Sequence, residues 1–131
     1  MRGLDTNVLV RYLTRDDPAQ FRRAEALISG LVAAGEPARL DEIVLCELTW
    51  VLQSGYGLAR AAVADTLDAL VETAQFVIDD RDTVRAAVEL FRAGPGDFSD
   101  YLLGLRNQNA GCADTMTFDR KLRAAEGFRL L

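Results

Sequence analysis

A chain of 131 residues, half of them apolar, suits one domain over residues 1–131 with a core of two or three layers, and excludes a disordered tail or a fibre. Histidine is absent and the only cysteines are Cys46 and Cys112, which removes imidazole acid–base catalysis, Ser-His-Asp and Cys-His nucleophiles, the common zinc sites and a disulfide scaffold. Twenty acids against 15 bases give a formal charge of −5, which counts against simple electrostatic wrapping of nucleic acid.

Arg2–Leu4 reads as a short first strand that delivers Asp5 to its carboxyl end, the edge at which open α/β sheets collect ligands. Thr6 and Asn7 start a helix with Val8, Leu9, Tyr12 and Leu13 as its apolar members, fading near Thr14; Asp5 on this reading is either a site residue or the helix cap. Asp5 and Arg11 interrupt any secretory apolar run, so no leader is expected. No stretch approaches the ~20 apolar residues of a membrane span, and a cytoplasmic protein is the expectation. Asp17 caps and Pro18 opens a second helix to about Ala33, with Phe21, Ala24, Leu27, Ile28 and Leu31 on one face.

Gly35-Glu36-Pro37 stops that helix, and Ala38–Leu40 is a brief strand. Asp41–Gln53 has the branched residues of a buried strand but the length of a helix, and is read mainly as a helix with Trp50 in the core. Leu58–Glu72 reads as a helix with Ala59, Ala62, Val63, Leu67 and Leu70 inward. Gln75–Ile78 is a short strand, and Thr83–Arg92 a helix capped by Asp80 or Asp82. Gly94-Pro95-Gly96 is the sharpest break in the chain. Asp97–Gln108 is helical, Cys112–Met116 a strand, Thr117–Asp119 its terminal loop, Arg120–Ala125 a last helical turn or two, and Phe128–Leu131 an edge strand. Both cysteines are expected as small buried hydrophobes. Short strands alternating with helices, without repeats or a linker, imply an α/β fold with a mainly parallel sheet covered on both faces by helices.

Four places set acids inside or beside an apolar pattern: Asp5, Glu47, the pair Asp97 and Asp100, and Asp119. Burying an unpaired carboxylate costs several kcal/mol or protonates it, so each needs a partner, and none has an obvious local base. One solution gathers them around a divalent cation of the Mg²⁺ or Mn²⁺ kind, which accepts carboxylates and water. The other leaves them local: Asp97 and Asp100 as first-turn acids favoured by the helix dipole, Glu47 as a half-exposed helix residue, Asp119 as a cap. Arginine supplies 14 of the 15 bases, with Lys121 the exception. Its planar fork suits phosphate, and the bias equally fits a GC-rich gene.

The stretch Asp5-Thr6-Asn7-Val8-Leu9-Val10-Arg11-Tyr12-Leu13 resembles the opening signature of PIN-domain proteins, in particular the VapC-type ribonuclease toxins. Three further blocks follow in the family's order, Ile43–Leu52 around Glu47, Asp97-Phe98-Ser99-Asp100-Tyr101-Leu102-Leu103, and Thr117-Phe118-Asp119. The resemblance implies a three-layer α/β/α sandwich with a short-stranded, mainly parallel central sheet. It also implies that Asp5, Glu47 and Asp100 hold Mg²⁺ or Mn²⁺, with Asp119 completing the pocket. Asp97 would be a ligand, a water-mediated ligand or a cap. Thr6 and Thr117 would support the carboxylates from behind, and Asn7 falls on the family's usual amide. Asp114 matches nothing in the pattern and is taken as structural.

The activity so implied is metal-dependent cleavage of RNA phosphodiesters, by a toxin that is usually a homodimer and is held inactive by a small VapB-like antitoxin. Arg11, Arg15, Arg106 and Arg120, near the motif residues in sequence, are the candidates for phosphate contacts, and segments 17–31 and 58–71 for the borders of the antitoxin groove. Single-stranded or looped RNA fits better than duplex DNA, and direct DNA binding is not expected. The rival reading is a catalytically weak PIN-like RNA-binding or scaffold module that retains the acids for structure.

Overall fold

The computed structural model describes all residues from Met1 to Leu131. The fold is mixed α/β, with a short parallel central sheet flanked by helices. The chain gathers into two compact units, Met1–Asp79 and Asp80–Leu131. No helix is long and apolar enough to cross a membrane.

In the first unit β1 (Arg2–Gly3), β2 (Ala38–Arg39) and β3 (Phe76–Val77) pair in that order, all parallel, with Arg2, Ala38 and Phe76 in register. Parallel neighbours require crossovers. The helices α1 (Thr6–Thr14) and α2 (Pro18–Ala33) supply the first, and α3 (Glu42–Trp50) and α4 (Arg60–Glu72) the second. Each strand runs into a buried aliphatic residue and then an acid: Leu4-Asp5, Leu40-Asp41 and Ile78-Asp79. The ladder continues through the aliphatic positions, with Leu4 N–H to Arg39 O at 3.1 Å and Leu40 N–H to Val77 O at 2.9 Å.

The helix signals are realised closely. Asp17 accepts the Gln20 N–H at 3.0 Å with Pro18 opening α2, and Asp41 accepts the Ile43 N–H at 2.8 Å to start α3. Ala24, Ile28 and Leu31 of α2 are buried, but Leu27 is exposed and lines a groove against α1. In α4 the inward stripe is Val63, Ala64, Leu67, Leu70 and Val71, so Ala59 and Ala62, expected inward, face solvent.

The run after Asp41 is helical, not a strand, but its winding changes. After Trp50 it widens into a π-helical turn over Val51–Gly55, in which the Tyr56 N–H reaches Val51 O at 3.2 Å. Trp50 is not in the core. It is 68% exposed, on the same side of α3 as Ile43 and Glu47, because Leu45, Leu48 and Leu52 already form the buried stripe opposite.

The second unit holds α5 (Arg81–Ala93), α6 (Phe98–Asn109), a 3₁₀ turn (Arg120–Leu122) and a parallel pair, β4 (Thr115–Thr117) with β5 (Phe128–Leu130). The strands of the chain thus divide into a three-stranded and a two-stranded sheet, where the pattern suggested one. Asp80 caps α5 through the Thr83 N–H and hydroxyl. Phe91 of α5 and Phe98 of α6 are fully buried and meet edge to face, with centroids 6.3 Å apart. β4 begins at Thr115 rather than Cys112, since Gly111 (φ 95) and the bond from Cys112 N–H to Asn107 O extend the turn that closes α6. Asp114, taken as structural, pairs with Arg129 at 3.1 Å.

Neither cysteine is a fully buried hydrophobe: Cys112 is exposed in that turn, and Cys46 is half-buried on α3. Burial, with help from Glu42 and Asp41, pushes the Cys46 thiol up to about 11. At about pH 8 its thiolate should therefore be roughly a hundredfold scarcer than that of an ordinary thiol. Titration with an aromatic disulfide is expected to label Cys112 promptly and Cys46 far more slowly. Equal rates at the two positions would contradict the burial assigned to Cys46.

Candidate active-site residues

In the first unit, α1 packs on α3 and brings two of the sequence blocks together. Thr6, buried at the first position of α1, donates its hydroxyl to Glu47 Oε2 of α3 at 3.3 Å, a long hydrogen bond. The Glu47 side chain is exposed. Asp5 occupies the cap position of α1 with an extended backbone (φ −81, ψ 158), and its carbonyl accepts the Val8 and Leu9 N–H groups. Its carboxylate makes no capping bond and stays exposed, so α1 does not use that side chain. Asn7 is exposed and, with Val8, Arg11, Gln20, Arg23 and Leu27, lines the α1–α2 groove of about 310 Å³.

In the second unit, Asp97 stands at the cap of α6 and Asp100 one turn in, its Oδ2 accepting the Asp97 backbone N–H at 3.0 Å. Thr117 at the end of β4 accepts the Asp119 N–H at 3.0 Å, and Asp119 Oδ1 accepts the Lys121 N–H at 3.0 Å. Asp119 is therefore a cap, of the 3₁₀ turn, as well as a candidate site acid. Half-burial raises the Asp100 pKa; the bond from Asp97 N–H lowers it, the charges of Asp97 and Asp119 raise it, and Lys121 lowers it.

The loop before α6 is held by a bond that sequence reading missed: the Gly96 N–H donates to the buried Tyr101 hydroxyl at 2.9 Å. A β-carbon on Gly96 would lie 2.6 Å from the Leu122 terminal methyl and 3.1 Å from Tyr101, so any larger residue would have to displace the buried Leu122 side chain. The Gly-Pro-Gly punctuation was visible in the sequence, but the ring it closes on was not.

The candidate phosphate-binding arginines differ in what they already touch. Arg11 binds Asp16 at 3.1 Å and Gln20 at 2.6 Å, and Arg15 lies 4.7 Å over the Phe21 ring. The hydroxyls of Tyr56 and Thr14 also donate to Asp16, and with Arg11 they hold its carboxyl below the usual range. Arg106 faces Asp80 by charge, and Arg120 is exposed.

Nowhere does the structure draw three or more acids or thiols into a ready-made metal nest. The donor chemistry still suits a hard cation, because every candidate is a carboxylate and no imidazole competes. Asp100 is pushed up first by burial and then by the charges of Asp97 and Asp119, and added positive charge there would offset the part due to those acids.

A profile of the PIN domain matches residues 4–127, and the chain belongs to that family. Within it, the chain is 24% identical over 123 residues to a VapC ribonuclease of Aquifex aeolicus (strain VF5), a match that covers 94% of this chain and 90% of that one.

Proposed function

We propose that this protein is a metal-dependent endoribonuclease acting as the toxin of a type II toxin–antitoxin pair. The observation that carries the reading is the bond between Thr6 and Glu47, which joins the first two sequence blocks across 41 positions. Between the last two blocks the tie is electrostatic only: after burial and the charge of Asp97, the charge of Asp119 adds to the rise of the Asp100 carboxyl. Similarity to a VapC ribonuclease over nearly the whole chain supports the activity.

Asp5, Glu47, Asp100 and Asp119, with Asp97 as an additional acid, would hold Mg²⁺ or Mn²⁺. When bound, such an ion supplies a Lewis acid for the phosphodiester and a water that ionises near neutral pH. The chain's own groups position the acids: the Thr6 hydroxyl orients Glu47, Thr117 and the Lys121 amide fix Asp119, and the Asp97 amide fixes Asp100. RNA is the substrate, a small VapB-like antitoxin the inhibitor and a second copy the partner, in the cytoplasm. The exposed Ile43 and Trp50 of α3 are apolar area of the kind a second copy would cover.

The test is co-expression of wild type beside Asp5→Asn and Glu47→Gln, with RNA ends mapped in each. New ends and growth arrest are expected only with wild type. Identical growth and identical ends in all three would reject the toxin reading. The rival reading is a weakly catalytic binding module that keeps the acids for structure. Calorimetric Mg²⁺ uptake without cleavage of any RNA would select it.

A further inference from the structure

Phe118 is 80% exposed, the largest exposure of any bulky apolar residue in the chain. A ring in water adds nothing to the core, and a single exposed apolar residue is ordinary. Its mounting is less so. The Asp119 N–H is tied to the Thr117 hydroxyl at 3.0 Å, the Leu131 N–H to Thr117 O at 2.9 Å, and the Leu122 N–H to Asp119 O at 3.0 Å. The ring is thus carried by a loop pinned on both sides. Two residues back along the strand, Met116 is 47% exposed, and the exposed Arg120 and Lys121 follow directly. An outward aromatic face, an apolar neighbour and two adjacent cations together meet the chemistry of an unpaired nucleotide. The base takes the ring, and the phosphates take the cations.

We propose that Phe118 is a stacking platform for one unpaired base of the RNA strand, a positioning residue that sets the substrate beside Asp119. The proposal rests on the ribonuclease reading for its substrate, and its test separates the two. Single-stranded RNA oligonucleotides carrying 2-aminopurine at successive positions are titrated with the full chain in the Asp5→Asn background, with Mg²⁺ present. Fluorescence quenching at one position is expected. Phe118→Ala should weaken binding roughly tenfold or more, and Phe118→Trp should restore it. Duplex RNA should respond to neither change. In the cleavage assay Phe118→Ala should raise KM more than it lowers kcat, with the circular dichroism spectrum unchanged.

Equal affinities of the parent and Phe118→Ala proteins would overturn the proposal, as would the absence of any RNA binding. A Phe118→Ala protein that loses self-association or antitoxin binding, yet holds RNA normally, would assign the ring to a protein partner and overturn it too. If stacking depends on Phe118 while wild type cleaves no RNA, the platform stands and the ribonuclease reading falls.

Discussion

Asparagine in place of Asp100 is expected to reduce RNA cleavage by at least about a hundredfold while leaving the chain folded. The same change, with chelator present and at neutral pH, should make the protein slightly more resistant to heat. Half-burial and the charges of Asp97 and Asp119 raise the Asp100 carboxyl above its ordinary 3.8, against the pull of the Asp97 amide and Lys121. The folded chain therefore holds this proton more tightly than the unfolded chain does. Its stabilising contribution is complete below the ordinary value and is lost as pH rises through the raised one. Asparagine never ionises and keeps an acceptor for the Asp97 N–H, so this part of the pH–stability profile should flatten. Melting curves from about pH 3 to 8, in chelator and in Mg²⁺, check both halves. Mg²⁺ should stabilise wild type more than the variant. Undiminished cleavage by Asp100→Asn would remove Asp100 from the site.

Phe98→Ala should cost about 3–5 kcal/mol, because the ring is wholly buried and packs edge-on against Phe91. For a chain of this length that is a fall in Tm of roughly 10–20 °C. Phe98 is the first residue of α6, between Asp97 and Asp100, so the packing that stabilises the second unit also fixes the start of the helix that carries both acids. Phe98→Leu should recover most of the stability. A loss below about 1 kcal/mol for alanine would mean that the surrounding side chains collapse into the space.

Helix boundaries were legible where local chemistry sets them: Asp17-Pro18 announced a start that the backbone then uses, and Asp80 is the one of two offered caps that it takes, whereas the cap at Asp41 was not read. The interruption at Gly94–Gly96 was equally plain. Which face of a helix turns inward was harder to read. Trp50, Leu27 and Ala62 lie at the margins of apolar stripes, where one residue's offset reverses the outcome, and tertiary packing decides it. The division of the strands into two sheets was not legible either, since strands of two or three residues carry no alternation that identifies a partner. At the site, the resemblance placed Thr6 behind the carboxylates, but that its hydroxyl would choose Glu47 was not legible. Nor were the bond from Gly96 to Tyr101 and the engagement of Arg11 by Asp16 and Gln20, because sequence spacing does not report where a long side chain ends.

Asp5, Asp41 and Asp79 leave their strands at the same offset, so the rim of the three-stranded sheet bears a row of like charges. Arg39 bridges two of them, reaching Asp41 at 3.0 Å and Asp79 at 2.5 Å, and its guanidinium is thereby spoken for. A polyanion nearing the remaining aspartate meets repulsion that this arginine does not relieve. If RNA is the substrate and a divalent ion settles beside Asp5, uptake of the two becomes reciprocal: each tightens the other by one common factor. Affinity for RNA would then track the free magnesium of the surrounding solution, making occupancy a matter of heterotropic linkage rather than of shape alone.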